Sequence, residues 1–509
     1  MVILLDGKYL RVAADITVKL KDYSMMYVDC EGGIAYELSD YFSFYVPGYR
    51  FMPAYKNKIW DGKIKLFNRM TGELNAGLYV YLLKFASERG YTVDTEESDR
   101  YGLPVPAQQS LPNMSDLLAD ATLPFQPRSY QYDAIETALK RNRAILLSPT
   151  GSGKSFIAYL LIKYWLYYLS DGFKYPKGGR VLVIVPTTSL VEQMHQDFED
   201  YGQNPEGMHK IYSGRDKNAD KAIYISTWQS IYKYPKKWFE QFGMVIGDEC
   251  HGFKSKSLSS IMNKATEAKY RFGLTGTLDG TQTHKLVLEG LFGPVYNVTK
   301  TKSLQDDGTL APLDIKVLLL NYAAEIRKDF GKKTYQEEID FIIGNDVRNR
   351  LISNLAIDTK GNTLVLFNRV DAHGKPLYDM ILNKVAEGRK VFFVSGEVDA
   401  KDREAIRKIV EKQTNAIIVA SLGTFSTGIN IRNLHNIIFA SPSKSQIKVL
   451  QSIGRGLRKS DDGRETTLYD IADDLHWGKH KNYTLLHSAE RIKIYEKEEF
   501  KYKVIKVDI

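Results

Sequence analysis

Residues 148–155 read Ser-Pro-Thr-Gly-Ser-Gly-Lys-Ser and stand between the apolar run AILL (144–147) and the long pattern FIAYLLIKYWLYYL (156–169). A short buried strand, a glycine-rich turn and a helix, in that order, predict a phosphate loop. Glycine lets the backbone wrap an anion with no Cβ in the way, and N–H groups at a helix N-terminus face negative charge. Thr150, Gly151, Ser152 and Gly153 would form the wrap. Lys154 would reach the β and γ phosphates of a nucleotide, and the Ser155 hydroxyl would hold Mg²⁺. Ser148 stands where the usual pattern opens with glycine, so the flanking strand and helix carry the reading. The bland alternative is a Gly/Ser turn with a chance lysine.

Around this unit the chain alternates short apolar runs with longer helical patterns. Between about 128 and 310 the runs are AILLS (144–148), VLVIVP (181–186), AIYIST (222–227), MVIGD (244–248) and RFGLTGT (271–277). Between about 311 and 480 they are TLVLF (363–367), KVFFVSG (390–396), AIIVAS (416–421) and NIIFAS (436–441). Apolar runs of this length between helices predict parallel sheets buried on both faces. The fold class is therefore α/β, with two sheet domains in tandem. A smaller α/β block occupies residues 1–100, with strand-like MVILL, MMYVDC and KIKLF and a helix over LYVYLLKFASERG. Residues 101–127 carry five prolines and read as a linker with a small helix over 114–121. Residues 481–509 read as a charged helix followed by a strand, a C-terminal extension.

The chain has 509 residues, enough for about three or four domains at roughly 100–200 residues each. Hydrophobic residues make up 43% and charged residues 26%, which excludes a mostly disordered chain. Cys30 and Cys250, far apart, exclude a disulfide scaffold and a four-cysteine zinc site and suit a reducing cytoplasm. No run approaches about 18 apolar residues, so no membrane partner is expected. Seventy Lys and Arg against 61 Asp and Glu give a net charge of +9. Residues 1–120 hold 13 basic and 16 acidic residues, net −3, so 121–509 carry +12. A polyanionic partner is permitted, chiefly along the larger part.

Downstream of the phosphate loop, MVIGDECH (244–251) ends an apolar run in Asp248 and Glu249. One carboxylate there would bind Mg²⁺ and its neighbour would polarise an attacking water. An acidic pair at a strand end is often a solvated turn; its position after a phosphate loop favours the catalytic reading. Cys250 reads as inert packing, and His251 has no second ligand at metal-binding spacing.

Ser148–Ser155, DECH (248–251), LTGT (274–277), TFSTGINI (424–431) and QSIGRGLRK (451–459) together resemble the ordered motifs of superfamily 2 helicases of the DExH type. With YVDCEGGIAYELSDYFSFYVPGYRF, WDGKIKLF, STWQS, NDVRNR and FSTGINIRNLH, the chain resembles in particular the UvsW-type recombination and repair helicases of T4-like bacteriophages. The resemblance implies two RecA-like domains, ATP and Mg²⁺ as cofactors, and an N-terminal domain that binds substrate. It implies that Gln131 reads the adenine edge with Arg128 stacked on it; alternatively both are the cap and first turn of a helix. It implies that Gly428 and Asn430 face the nucleotide, that Thr275 and Thr277 couple hydrolysis to motion through His251, and that Gln451 joins them. Arg455 and Arg458 would be charge-neutralising fingers supplied by the second sheet domain; QSIGRGLRK could also be a merely basic helix. Binding phosphate in one domain and drawing arginines from the other implies a cleft that ATP closes and hydrolysis opens.

By the same resemblance the strand path would use Thr187, Thr188, Ser226, Thr227 and Trp228 in the first sheet domain. In the second it would use Asn368, Arg369, Ser395, Gly396, Ser421 and Thr424. Hydroxyls and backbone N–H groups at strand ends hold phosphates without reading bases; singly, such threonines are more often helix caps. Residues 49–69 hold six basic residues against one acid, interleaved with Tyr49, Phe51, Tyr55, Trp60 and Phe67. Lys58, Trp60 and Lys63 are the nucleic-acid candidates there. The alternative is a hairpin turning at Trp60–Lys63 with a solvated basic face and a buried aromatic face.

The expected function is an ATP-dependent DNA helicase or translocase acting on branched DNA: junctions, stalled forks, D-loops and R-loops, where RNA would also be met. An RNA helicase or ribonucleoprotein remodeller, and a partner-dependent duplex translocase, use the same motor. A scaffold that has lost hydrolysis conflicts with intact Lys154, Asp248, Glu249, Arg455 and Arg458. A monomer in the cytoplasm, that of the host cell if phage-encoded, is expected.

Overall fold

The structure is a computed structural model. It describes residues 2–5, 8–11, 14–96, 101–103, 123–169, 178–212, 219–278, 281–330, 333–398, 400–428, 431, 433–441, 445, 449–450, 452–454, 457, 465–479 and 481–509. The expected helix at 114–121 lies outside them. The chain divides into two units, 1–148 with 153–298 and 149–152 with 299–509.

The first unit holds a seven-stranded parallel sheet. Its order is Met208–Ile211, Ile223–Thr227, Arg180–Val185, Phe242–Asp248, Tyr270–Thr275, Arg143–Leu147 and Val295–Asn297. Alternate residues serve opposite faces, as the strand period requires. Ala144, Leu146, Val181, Val183 and Val185 enter one core; Ile145, Leu182 and Ile184 enter the other. That double burial is why the strands read as unbroken apolar runs. The helix Lys154–Tyr164 buries Phe156–Tyr164, with Tyr159 and Tyr164 in the core, whereas Tyr167 beyond it is exposed.

The second unit holds another seven-stranded parallel sheet. Its order is Val391–Val394, Ile417–Ser421, Thr363–Phe367, Asn436–Phe439, Thr466–Asp474, Leu313–Asn321 and Tyr502–Asp508. The C-terminal strand is thus an edge of this sheet, beside Leu313–Asn321, and the helix Tyr483–Lys497 leads into it. Thr466–Asp474 carries acids into the core because each has a partner. Arg348 Nε meets Asp473 at 2.7 Å and Arg491 Nη2 meets Asp470 at 2.7 Å, all four fully buried or nearly so. Tyr322 and Tyr495 donate to the same two carboxylates at 2.9 Å each.

The N-terminal block is a four-stranded sheet, Glu73–Asn75, Met25–Cys30, Ile16–Leu20 and Val93–Thr95, with helices Gly32–Tyr41 and Tyr79–Arg89. Its core includes Leu286 of the helix Gln282–Phe292, which belongs to the first large sheet's surround. Polar contacts fix the same junction. Arg271, 1% exposed, donates to the Met262 and Ala268 carbonyls at 2.9 Å each and to Ser24 Oγ at 2.7 Å. The Tyr23 N–H donates to the Thr266 carbonyl at 3.1 Å, and buried Arg143 donates to the Tyr23 carbonyl at 3.3 Å. Tyr81 donates to buried Glu289 at 2.6 Å, and burial followed by that contact pushes its phenol up. The N-terminal domain is therefore bonded to the first sheet domain by buried groups.

Gly77 sits where this junction is tightest: a Cβ there would lie 2.0 Å from the Glu289 carbonyl oxygen and 2.7 Å from that of Gly290. Backbone on both sides leaves no room to relax. Gly77→Val is expected to separate the N-terminal domain from its neighbour while each sheet stays folded. A melting curve would show a new low-temperature transition; an unchanged single transition would contradict the junction.

Candidate active site

Strand register sets the site. In the parallel sheet Leu147 pairs with Thr275 and Leu274 pairs with Asp248, so the phosphate-loop strand, the Thr275 strand and the acidic strand end at one edge. The carboxyl edge of such a sheet is where ligands bind in open α/β folds.

The loop has the backbone its glycines allow. Gly151 and Gly153 have φ of 87° and 82°. The helix Lys154–Tyr164 starts immediately afterwards, with Gly153 as its N-cap. Lys154 Nζ donates to the Ser148 carbonyl at 3.2 Å, and Ser152 Oγ donates to the Pro149 carbonyl at 2.7 Å. Ser155 Oγ lies 3.0 Å from Tyr201 Oη. Tyr201 follows the helix Thr188–Asp200, and sequence spacing alone holds no signal for it.

Gln131 and Arg128 form the cap of the helix Ser129–Arg141: the Arg128 N–H donates to Gln131 Oε1 at 3.0 Å. The cap does not compete with a place beside the loop. Gln131 is 5% exposed, and its Nε2 lies 2.4 Å from where a Cβ on Gly153 would stand. Arg128 Nη1 donates to Tyr130 Oη at 3.1 Å.

Asp248 ends its strand, and Glu249 follows with a left-handed φ of 47°, a strained conformation for a non-glycine residue. Burial and then the neighbouring Glu249 charge raise the Asp248 carboxyl, against the opposing pull of Lys154. A carboxylate and a serine hydroxyl are oxygen donors of the kind Mg²⁺ takes alongside nucleotide phosphates. Cys250 is fully buried, its thiol pushed well up by burial, in keeping with packing. Among the described residues no cluster of three metal-ligating side chains occurs.

Thr275 is the hub. Its Oγ1 lies 2.9 Å from His251 Nδ1, 3.4 Å from Glu249 Oε2 and 3.1 Å from the Thr277 carbonyl. Its own carbonyl accepts the Ser148 N–H at 2.9 Å. One residue thus touches the acidic pair, His251, Thr277 and the base of the phosphate loop.

The strand-path residues fall at the carboxyl edges of the two sheets, each in its own unit. In the first, Thr187 caps Thr188–Asp200, accepting the Leu190 N–H at 3.4 Å, while Thr188 is exposed. Val185 pairs with Thr227, which places the two threonine motifs side by side. Thr227 Oγ1 lies 2.9 Å from Ser230 Oγ, and Trp228 packs edge-on against Tyr232. Ser226 departs from the expectation. It is fully buried, its Oγ 3.2 Å from the Ile211 carbonyl and 2.9 Å from that of Thr227, so it ties strand ends together and offers nothing to a phosphate.

In the second unit Phe367 pairs with Ser421, so Asn368 and Ser421 share an edge. Ser421 Oγ donates to Thr424 Oγ1 at 2.7 Å and accepts the Thr424 N–H at 3.2 Å. A Cβ on exposed Gly396 would stand 3.8 Å from Thr424 Oγ1, and Ser395 beside it is buried. Arg369 is engaged at 2.6 Å by Asp340. Gly428 ends the helix Leu422–Gly428. Asn430, Gln451, Arg455 and Arg458 lie outside the described residues.

In the N-terminal domain the hairpin alternative is replaced by a different structure. Ser43–Tyr45 pairs with Lys63–Lys65 across a folded loop containing the turns Tyr49–Phe51 and Pro53–Lys56. Tyr45 and Phe51 are exposed, whereas Phe67 is buried. Trp60 Nε1 donates to the Lys63 carbonyl at 2.8 Å, Lys63 Nζ lies 5.1 Å over the Tyr45 ring, and Lys58 is exposed.

Thr275→Val keeps the volume and removes the hydroxyl. It is expected to lower ATP turnover about 10- to 100-fold, the usual scale for a group that orients catalytic side chains. Affinity for a fluorescent ATP analogue should stay within about three-fold. Equal loss of both, or of neither, would contradict the hub.

Similarity to known proteins follows the same layout. Residues 15–96 match the family described as DNA helicase UvsW, N-terminal; 124–280 match the type III restriction enzyme res subunit; 346–460 match the helicase conserved C-terminal domain. The chain is 37% identical over 515 aligned residues to the ATP-dependent DNA helicase UvsW of Enterobacteria phage T4, covering 96% of this chain and 98% of that one. The crystal structure of T4 UvsW superposes with a TM-score of 0.51 at 35% identity, over 97% of this chain and 99% of that one. An HsdR subunit fragment of a type I restriction enzyme from Vibrio vulnificus shares the fold, with a TM-score of 0.57 at 20% identity over 78% and 72%.

Proposed function

This chain belongs to the UvsW family of ATP-dependent DNA helicases, and from that premise we propose that it works on branched DNA, driving branch migration of junctions, regressing forks and unwinding D-loops and R-loops. The observation that supports this reading is the kinship over 96% of the chain, which takes in the N-terminal domain as well as the motor. That domain is bonded to the first sheet domain by buried groups.

In the proposed cycle Gln131 reads adenine, with Arg128 against it. The loop 150–155 wraps the phosphates and Lys154 bears on the β and γ groups. Ser155 and Asp248 would hold Mg²⁺, which when bound neutralises phosphate charge and favours attack at the γ phosphorus. Glu249 takes the proton of the attacking water, and Arg455 and Arg458 stabilise the transferred group. Gly428 and Asn430 are the remaining nucleotide-binding residues of this reading. Thr275 passes the change at Glu249 to His251 and Thr277, and Gln451 is the fourth coupling residue. Thr187, Thr188, Thr227, Trp228, Asn368, Arg369, Gly396 and Thr424 lie along the strand, and Lys58, Trp60 and Lys63 bind DNA outside the motor. No described helix is long and apolar enough to cross a membrane; a monomer acting in the cytoplasm of the host cell completes the reading.

Steady-state ATP hydrolysis across single-stranded DNA, blunt duplex, four-way junction and single-stranded RNA tests it. The junction should stimulate most; equal or greater stimulation by RNA would favour a ribonucleoprotein remodeller. Glu249→Gln should lower turnover about 10²- to 10⁴-fold with ATP still bound, the range of a lost general base. Lys154→Ala should abolish nucleotide binding itself, read by fluorescent-analogue titration.

A further inference from the structure

The loop between Tyr45 and Lys63 is exposed yet closely built. Tyr45 stacks on Tyr49 with centroids 4.5 Å apart, and Tyr49 meets Tyr55 edge-on at 4.7 Å. The Ile59 N–H donates to the Ala54 carbonyl at 2.9 Å. Gly62 has a φ of 82°, and a Cβ there would strike the Tyr49 ring at 2.4 Å, so no other residue closes the loop in this form. Lys58, not a glycine, holds a left-handed φ of 57°. Backbone strain of this kind persists where surrounding structure enforces it and gathers at binding sites.

This architecture shapes an open surface hollow of about 500 Å³ lined by Arg50, Tyr55, Lys56, Lys58, Ile59 and Trp60. Asp61, also at the pocket, is answered by Lys65 at 2.9 Å. The Trp60 indole N–H is already committed to the Lys63 carbonyl, so the ring offers a face and not a donor. Phe51 and Ile59 stand 81% and 79% exposed and contribute little to the fold's stability. Cations and aromatic faces meet here, in a domain whose net charge is otherwise negative.

We propose that this pocket is a second nucleotide-binding site, separate from the ATP loop, that takes one unpaired nucleotide of DNA, its base against Trp60 and Tyr55 and its phosphates against Arg50, Lys56 and Lys58. Bases in a duplex are stacked on both faces and cannot enter; an unpaired base can, and every base has a face to stack, so the site selects lack of pairing and not sequence. Because the domain is bonded to the first sheet domain through Arg271–Ser24 and Tyr81–Glu289, the captured nucleotide is held against the same compact unit as the first sheet. Branch points are where such nucleotides occur. The proposal rests on the reading of this loop as a DNA-binding element.

The test uses the full chain and three labelled forks that differ at one junction position: an unpaired thymine, an abasic residue, and a paired thymine. Binding is read by fluorescence anisotropy. The wild type should bind the unpaired-thymine fork about ten-fold tighter than the abasic one, within the range of stacking on one aromatic residue. Trp60→Leu should erase that difference while binding the abasic fork as the wild type does, which also shows that the variant is folded. Trp60→Phe should restore most of the difference. Lys56→Ala with Lys58→Ala should weaken all three forks alike. No preference of the wild type for thymine over the abasic residue would overturn the pocket, even with the lysine effect intact. An absent lysine effect as well would overturn the DNA-binding reading beneath it.

Discussion

The chemistry of this chain depends on the register of three parallel strands. Leu147 beside Thr275, and Leu274 beside Asp248, bring a phosphate loop, a hydroxyl relay and an acidic pair to one edge without any long side chain reaching across. A slip of one residue would turn every side chain of a strand to the opposite face. The two apolar cores prevent it, because each strand is specified on both sides. Thr275 then converts register into connection: its carbonyl holds the Ser148 N–H while its hydroxyl meets His251 and Glu249. Glu249 is thus linked by contacts both to the base of the loop and to the segment following Thr275. This is a short path, built of contacts and not of distant influence.

The second constraint is the seating of the N-terminal domain. A substrate-binding domain on a loose tether would deliver DNA to the motor with no fixed geometry. Here two arginines, Arg143 and Arg271, reach backbone carbonyls and a serine at the junction, and Gly77 permits backbone to pass backbone. Arg271 is tolerated in the interior because carbonyls and a hydroxyl take its N–H groups in place of water. The domain's basic, aromatic loop is thereby part of the same compact unit as the first sheet.

Much of this was legible in the sequence. The strands at 144–147, 181–185, 223–227, 363–367 and 417–421 were visible as apolar runs, since a strand buried on both faces cannot hide. The long strands Leu313–Asn321 and Thr466–Asp474 were not. Asp314, Lys316, Asp470 and Asp473 interrupt their apolar pattern, and the arginines that make Asp470 and Asp473 acceptable, Arg491 and Arg348, come from two helices, the second of them 125 residues away in sequence. For the same reason the final strand read as an extension, when its partner lies nearly 200 residues upstream. The turn at 60–63 was visible but its partner was not: Gly62 closes against Tyr49, so Ser43–Tyr45 became the paired strand. In the site, glycine and acid spacing pointed to the phosphate loop and to Asp248–Glu249, whereas the burial of Ser226 and the approach of Tyr201 to Ser155 arise only from tertiary packing.

The central claim is that ATP hydrolysis at this edge moves branched DNA. The most direct measurement is conversion of a labelled four-way junction with homologous arms into two duplexes, followed by gel in the presence of ATP or a non-hydrolysable analogue. The account predicts full conversion with ATP and none with the analogue. Rapid junction-stimulated hydrolysis without movement of the branch would contradict it.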